Sequence, residues 1–351
     1  MARVDVQPGD GDQTGSVRRD DHRAARAAQL LQRFGLIAAW AALVLTFSVL
    51  EPDTYATAQN FQTIFSSQAV LLVLAVAALP PLIAGELDLS IAGVMGLALV
   101  LVGFLNVEQG WPIGLAILAA VLTGAALGLI NAVVVVTIGV DSIVATLGMG
   151  TLLAGIALGI TYLPITGVSL VIVDAVTFKF AGLQAAFYIA LAICLLVWFV
   201  LQHMPAGRRL YFVGAGRDVA RLSGINVERF RMMAFVAAST LSAMAGVMFA
   251  GLLASADPTA GPALLLPALA AVFLGATAVT PGRFNVWGTF IAVYFLVSGI
   301  TGLQILGVAG WIGQVFYGGA LIVAVVLSRL AGMRFGRQGL GQRAPRDAAR
   351  S

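Results

Sequence analysis

The sequence predicts an all-α, polytopic membrane protein of about ten transmembrane helices, with a helix broken near residues 80–90 and a short cytoplasmic helix in its central loop. Three observations predict this fold. The 351-residue chain is 60% hydrophobic and only 10% charged, whereas soluble domains carry about 25% charged residues. Its charges are clustered in a few short segments. The uncharged stretches between them approach or exceed the roughly 20 apolar residues that cross a bilayer.

The uncharged stretches locate the spans. Eight follow directly from the sequence, at 35–50, 61–84, 89–104, 111–138, 142–162, 187–201, 232–253 and 263–278. The uncharged stretch 284–328 is too long for one span, so we divide it near 302–310 into a ninth and a tenth. We therefore expect a transmembrane domain at 34–330, between a polar N-terminal tail at 1–33 and a C-terminal tail at 331–351.

Basic residues predict the orientation. With ten spans, every lysine and arginine except Lys179 falls on one side, in the two tails, in the central segment 207–231 or at Arg283. The loops on the other side carry acids instead, namely Glu51, Asp53, Glu108, Asp174 and Asp257. Because cytoplasmic loops are enriched in Lys and Arg, we expect both termini and the central segment to be cytoplasmic.

Glycine spacing predicts where helices touch. The pairs Gly124/Gly128 and Gly155/Gly159 each place two glycines on one helix face, where the backbones of two helices can approach closely. We therefore expect both pairs to lie at helix–helix contacts.

The second apolar stretch is interrupted. Pro80, Pro81 and Gly85 predict a kink or a stop, because proline removes a backbone donor and clashes with the preceding turn. Glu86 and Asp88 follow directly. Asp88 would cap the N-terminus of the third span, or the acids and the unpaired backbone would line a solute pathway. The sequence leaves both interpretations open.

The central segment 207–231 contains a short predicted helix. Asp218 is expected to cap a helix at 219–223, and Gly224 is expected to end it. The helix combines an apolar stripe with a basic edge, formed by Val219, Leu222, Arg217 and Arg221. Such a helix would insert into a groove on a partner protein or lie on lipid headgroups, and the pattern alone does not separate the two.

The sequence predicts no catalytic residues, no metal site and no cofactor. Its single lysine, Lys179, does not follow a glycine-rich turn, so no phosphate-binding loop is present. His22 and His203 are far apart, and the lone Cys194 lies in an apolar stretch where a buried structural role is expected. We expect a protein that is not an enzyme, and one without a nucleic-acid partner because its net positive charge lies beside membrane ends.

Three stretches together resemble the permease subunits of bacterial ABC importers of the ribose, xylose and galactose type. Residues 84–93 are similar to a Gly-Gly-Ile-Asp-Leu-Ser-Val-Gly-like run at a broken helix in that family. Residues 143–148 are similar to its Phe-Ile-Ala-Thr-Leu-Gly run, and residues 207–227 to its cytoplasmic coupling segment. The resemblance covers residues 35–330. The chain departs from the family at Glu86, which adds a charge to the first run.

The resemblance implies a multi-pass transport subunit of the bacterial inner membrane. A separate ABC ATPase subunit would grip the coupling helix, an extracytoplasmic sugar-binding protein would deliver a monosaccharide or related small polar solute, and a second permease subunit, identical or different, would pair with this one in the membrane lipid. The coupling element would be Arg217, Asp218, Val219, Ala220, Arg221, Leu222, Ser223, Gly224 and Ile225. The translocation pathway at the broken helix would include Gly85, Glu86, Asp88, Ser90 and Thr146.

Two other functions fit the sequence less well. An ion-coupled secondary transporter would need carboxylates or a histidine inside the spans, but Glu86, Asp88 and Asp141 all fall at predicted helix ends. A membrane-embedded enzyme would need clustered catalytic groups, which the sequence does not contain. The sequence does not identify the transported solute.

Overall fold

The structure is a computed structural model that describes residues 33–340, with side chains described as far as Val326. Ten helical segments build the main bundle: α1 (Arg33–Leu50), the run formed by α2 (Ala58–Ser67), α3 (Ala69–Ala77) and α4 (Leu79–Ile83), α5 (Ile91–Gly103), α6 (Ile113–Ala132), α7 (Ser142–Ile160), α9 (Ala185–His203), α12 (Val227–Leu253), α13 (Leu265–Gly275), α14 (Val286–Ile305) and α15 (Trp311–Leu340).

Shorter elements connect these segments. They comprise α8 (Leu170–Thr177), α10 (Pro205–Ala215), α11 (Arg217–Leu222), the 3₁₀ turn Pro262–Leu264, and the π-helical turns Phe104–Glu108 and Val133–Ile138 that extend α5 and α6. Two antiparallel pairs of two-residue strands complete the described fold: β1 (Ile165–Thr166) with β4 (Ser255–Ala256), and β2 (Lys179–Phe180) with β3 (Leu183–Gln184).

The predicted all-α polytopic fold is confirmed. Eight helices within residues 33–340 are long and apolar enough to cross a membrane, and shorter apolar helices at Pro262–Gly275 and Trp311–Val326 coincide with the eighth and tenth predicted spans. The long uncharged stretch divides where expected, because α14 ends at Ile305 and α15 begins at Trp311. The predicted tails lie mostly outside the described residues, although α15 continues to Leu340, beyond the boundary predicted at residue 330.

Side-chain caps set several helix starts. Thr57, Asn226 and Asn285 precede α2, α12 and α14, and each side chain accepts a hydrogen bond from a backbone N–H of the first turn. Asp141 does the same for α7 and accepts from two backbone N–H groups. Such caps satisfy donors that have no partner within the helix, so these residues locate the boundaries of otherwise uniformly apolar segments.

Helix α12 lies at the centre of the bundle and packs against α3, α5, α6 and α8. Its contact with α6 depends on Gly124 and Gly128, since a Cβ atom at either position would overlap with α12. The predicted contact at this pair is confirmed. The prediction for Gly155 and Gly159 is wrong within the described chain, because their face of α7 has nothing within 4 Å of a Cβ.

The bundle has two chemically distinct ends. At one end the backbone N–H of Val279 donates to the carbonyl of Arg33 over 3.0 Å, and the Tyr211 hydroxyl donates to the carbonyl of Phe284 over 2.7 Å. The start of α1, segment 84–90, α10 and α11 all lie at this end, together with the arginines of residues 207–231 and Arg283. The strand pairs, including the one that contains Lys179, lie at the opposite end. Among the described residues, the arginines of the central segment and Lys179 therefore lie at opposite ends of the fold.

Candidate functional site

The break after the second span is confirmed. Pro80 and Pro81 lie in the first turn of α4, where a missing N–H costs little, and helical structure then stops at Ile83. Residues 84–90 are not helical, with Gly85 at a positive φ of 80° that favours glycine. Helix α5 resumes at Ile91. The chain thus carries a seven-residue non-helical segment, 84–90, inside a helical bundle, and we call it the broken segment.

The start of α7 satisfies the backbone of the broken segment. The Thr146 hydroxyl accepts from the backbone N–H of Leu89 over 2.9 Å and donates to the carbonyl of Ser142 over 2.7 Å. The backbone N–H of Leu87 donates to the Ser142 hydroxyl over 3.4 Å. Buried backbone groups without partners are costly, so these two hydroxyls stabilise the interruption. The structure therefore brings Thr146 together with the broken segment, as predicted, whereas Ser142 was not predicted.

Asp88 belongs to a buried polar chain. Its Oδ1 accepts from the backbone N–H of Ser90 over 2.9 Å and from the Ser90 hydroxyl over 2.6 Å. The Asn131 amide on α6 donates to the same hydroxyl over 2.7 Å. The interpretation of Asp88 as the cap of α5 is wrong, because Ser90 occupies the cap position and Asp88 accepts no hydrogen bond from a backbone N–H of the helix. Among the described residues, Asp88 Oδ2 has no hydrogen-bond partner.

Glu86 joins three elements of the fold. Its Oε1 accepts from Arg217 Nη2 over 2.5 Å, from Arg231 Nε over 2.7 Å and from Arg231 Nη2 over 2.6 Å. Arg217 Nη2 also donates to the carbonyl of Gly85 over 3.3 Å. The side chains of Glu86 and Arg231 are only 6% and 12% exposed, whereas that of Arg217 is 41% exposed.

This cluster, Glu86 with Arg217 and Arg231, connects the broken segment to α11 and to the start of α12. Sequence reasoning selected Glu86 and Arg217 but did not pair them, and it did not select Arg231 as a site residue. The available signal was the excess of arginine over acid in segment 207–231, which left cations in need of a carboxylate from elsewhere in the chain.

Helix α11 begins earlier than predicted. It spans Arg217–Leu222, and Gly216 occupies the position before its first turn. The prediction that Asp218 caps the helix is wrong, because Asp218 lies inside the first turn and makes no capping bond. Its 97% exposed carboxylate is still favourably placed beside the positive end of the helix dipole. The predicted stop at Gly224 is confirmed: its φ is 76°, and the next residue, Ile225, donates from its N–H to the carbonyl of Ala220 over 3.0 Å.

One face of α11 packs and the other does not. Ala220 is buried in a small cluster with Val213 and Val227. The predicted stripe of Val219 and Leu222 points away from that cluster, and Leu222 is 90% exposed. Large apolar side chains that extend from a helix fixed to the protein are typical of a surface that another molecule covers.

Helix α10 brings the central segment against the broken segment. A Cβ atom at Gly214 would overlap with the carbonyl of Ile83, the last residue of α4. Gly214 lies within residues 207–227, which resemble the coupling segment, but the sequence did not predict this contact. On α11 itself, Arg221 pairs with Glu228 of α12. Helices α10 and α11 are thus held to the base of α4 and α12 from two sides.

Within residues 33–340, no group of three or more His, Cys, Asp or Glu side chains lies close enough together to hold a metal ion. His203 is flanked by the rings of Trp198 and Phe199. Cys194 is fully buried. Polar groups do converge at the broken segment and the coupling region.

Residues 60–325 match the family described as branched-chain amino acid transport system / permease component. The chain belongs to this family. The match runs from α2 to the middle of α15 and includes both the broken segment and α11. Family membership makes the protein a transport permease component and confirms the predicted resemblance to ABC importer permeases.

Curated relatives support the same conclusion. The chain is 27% identical over 299 residues to the D-allose transport system permease protein AlsC of Escherichia coli K12, covering 85% of this chain and 92% of the relative. It is 29% identical over 293 residues to the autoinducer 2 import system permease protein LsrD of Salmonella paratyphi A, covering 81% and 87%. LsrD of Photorhabdus laumondii is 28% identical over 309 residues. No solved structure matches the chain.

These matches favour an importer permease over an ion-coupled secondary transporter. They do not agree on a solute, because the family description names branched-chain amino acids whereas the relatives are named for D-allose and autoinducer 2. The solute of this permease therefore has to be argued from its own residues.

Proposed function

We propose that this permease is the membrane-spanning subunit of an ABC importer in the bacterial inner membrane, with both termini cytoplasmic. It translocates a monosaccharide or related small polar solute that an extracytoplasmic binding protein delivers. ATP is hydrolysed on a separate ATPase subunit. The observation that carries this proposal is the exposed apolar face of α11, which the Glu86 cluster connects directly to the broken segment.

The exposed face of α11 is the docking surface for the ATPase. Val219 and Leu222 supply its apolar centre, and Arg217 and Arg221 lie beside them. A helix that presents such anchors fits an apolar groove on a partner. The lipid-surface alternative is less well supported. A permease of this family needs an energy source, and α11 is the described helix at this end whose largest apolar side chain, Leu222, is almost fully exposed.

The Glu86 cluster transmits the motion of the ATPase. Displacement of α11 moves Arg217, which is bonded to Glu86 and to the carbonyl of Gly85. Arg231 holds the same carboxylate to α12, so the cluster is a pivot between α12 and the broken segment. Switching between outward-open and inward-open states then requires small rigid-body shifts of packed helices around this pivot.

The broken segment contributes to the solute pathway through Gly85, Glu86, Asp88, Ser90 and Thr146. Non-helical backbone at membrane depth is tolerated where protein or water satisfies it, and Thr146 supplies such a partner here. The Oδ2 atom of Asp88 is a buried acceptor that lacks a partner among the described residues. A hydroxyl group of a passing solute would satisfy it.

A second permease subunit packs against α7. The face of this helix that carries Gly155 and Gly159 is open within the described chain, and two glycines one turn apart allow close approach of another helix. An identical subunit and a different permease would both fit this description.

Uptake of radiolabelled sugar tests the proposal when the permease is expressed with its ATPase and binding protein. Leu222→Asp places a charge at the centre of the docking face and is expected to lower uptake at least tenfold, with unchanged membrane insertion. Leu222→Met keeps the face apolar and serves as the matched control. Uptake that continues with a catalytically inactive ATPase and collapses with the proton or sodium gradient would instead establish the ion-coupled alternative.

A further inference from the structure

A stripe of polar side chains runs along one face of α2. Its members are spaced by three and four residues, which places them one above another on a helix: Gln59, Gln62, Thr63, Ser66 and Ser67. Helices α3 and α4, which continue the same span, contain no polar side chain. The polar face is therefore confined to the end of this span that lies away from the coupling region.

The stripe extends too far to be only a surface feature. The run Ala58–Ile83 has 26 residues. At about 1.5 Å per residue it is about 39 Å long, against a hydrocarbon core of about 30 Å. The helical run is thus about 9 Å longer than the hydrocarbon core. Even if all of that excess length protruded at this end, Ser66 would lie inside the core, because it is about 12 Å from the start of the helix. Polar groups at that depth require protein or water beside them.

The stripe faces a pocket. A cavity of about 190 Å³ lies between the polar face of α2 and the β2–β3 hairpin, which contributes Lys179, Gly182 and Gln184. Ser66 is buried, and its hydroxyl accepts from the backbone N–H of Gln184 over 3.1 Å. The Gln62 side chain lies over Gly182, where a Cβ atom would overlap with the glutamine amide.

The lining groups define the chemistry of a ligand. Glutamine amides and serine or threonine hydroxyls each offer both donors and acceptors, and Lys179 adds donors. No carboxylate lines the pocket, which disfavours a cationic solute. Few apolar side chains line it, which disfavours an aliphatic one. Its volume is below the roughly 300–1,000 Å³ of pockets for drug-sized ligands. A small molecule that carries several hydroxyl groups satisfies all of these conditions.

We propose that this pocket is an entry site on the extracytoplasmic side, where a neutral polyhydroxylated solute of monosaccharide size is held before it reaches the broken segment. This inference rests on the proposed function for the direction of transport. The alternative is that the polar side chains only hold the hairpin against α2, and the experiments below distinguish the two.

Introduced cysteines test access to the pocket. Cys194 is the only cysteine of the chain and is fully buried, so thiol reagents report added cysteines. Gln62→Cys and Thr63→Cys are treated in sealed cells with a membrane-impermeant, charged methanethiosulfonate. Leu122→Cys is the control, because Leu122 is 58% exposed but lies on an apolar face of α6. Labelling of the two α2 variants, and not of Leu122→Cys, is expected.

Solute protection tests the ligand class. D-allose, D-ribose and D-xylose are each added before the reagent, in parallel with L-leucine. Slower labelling of Thr63→Cys with at least one sugar, and no change with leucine, supports the proposal. Labelling that no sugar slows, protection by leucine alone, or failure of both α2 variants to react from outside would overturn it.

Transport kinetics provide a second test that does not depend on labelling. Gln62→Leu is expected to raise the KM for sugar uptake about five- to tenfold through the loss of a hydrogen-bonding amide, with the maximal rate unchanged. Gln68→Leu is the matched control, since Gln68 is on the same helical run but does not line the pocket. An unchanged KM for Gln62→Leu would overturn the proposal. Loss of ATP dependence with sugar protection intact would refute the proposed function and leave the entry site standing.

Discussion

Replacing Glu86 with glutamine should destabilise the permease by about 2–3 kcal/mol and uncouple α11 from the broken segment. The magnitude follows from the exposure of the two partners. In the pair with Arg217, the arginine side chain is 41% exposed. The pair therefore resembles a surface ion pair, which contributes about 0–1 kcal/mol to the free energy of unfolding. The side chains of the pair with Arg231 are only 12% and 6% exposed, and removal of one partner from a buried pair costs about 3–5 kcal/mol. Glutamine keeps the shape and one acceptor, so the loss falls below that range.

Double-mutant cycles measure the coupling energy between Glu86 and each of the two arginines directly. Glu86→Gln, Arg217→Gln, Arg231→Gln and the two double variants are compared by the free energy of unfolding in detergent micelles. The coupling energy between Glu86 and Arg231 should be about 2 kcal/mol, and that between Glu86 and Arg217 below about 1 kcal/mol.

Reconstitution with the ATPase then separates stability from coupling. Arg217→Gln should fold with nearly normal stability but show reduced ATP-driven uptake, because it removes the contact between α11 and the broken segment. Equal coupling energies for the two arginines, or a Glu86→Gln permease with full stability and full uptake, would refute the reasoning.

Three further predictions concern residues that position the site. Thr146→Val removes the acceptor for Leu89 N–H and should cost about 1–3 kcal/mol in the free energy of unfolding, whereas Thr151→Val, at an exposed position on the same helix, should cost less than about 0.5 kcal/mol. Gly128→Ala should cost about 1–3 kcal/mol by forcing α6 away from α12, and an equal cost for Gly155→Ala in dispersed monomers would contradict the packing described. Gly224→Ala places a side chain at a φ of 76°, so ATPase pull-down should weaken with membrane insertion unchanged; full-strength pull-down would contradict the turn's role.

Much of the fold could be predicted because it depends on local composition. A stretch of uncharged residues lowers its free energy by entering the bilayer wherever it lies in the chain, so the ten segments and the break after Pro80 and Pro81 were predictable. The stop of α11 at Gly224 was predictable for the same reason, since only the local backbone conformation decides it. The wrong assignment of Asp218 as a cap shows the limit of local rules, because the cap position is Gly216 and the helix starts at Arg217, two residues earlier than the cap rule predicts.

The sequence by itself determined that this chain is a helical membrane protein, where its spans lie, and where its helices break, because hydrophobicity, glycine and proline act over a few neighbouring residues. Only the tertiary structure decided that Glu86 binds Arg217 and Arg231, that Thr146 holds the broken segment, that Gly124 and Gly128 pack while Gly155 and Gly159 do not, and that the polar face of α2 opens onto a pocket. These partners are separated by tens to more than a hundred residues. Whether they meet depends on how each helix is rotated about its axis, and that rotation is set by the packing of all the helices together.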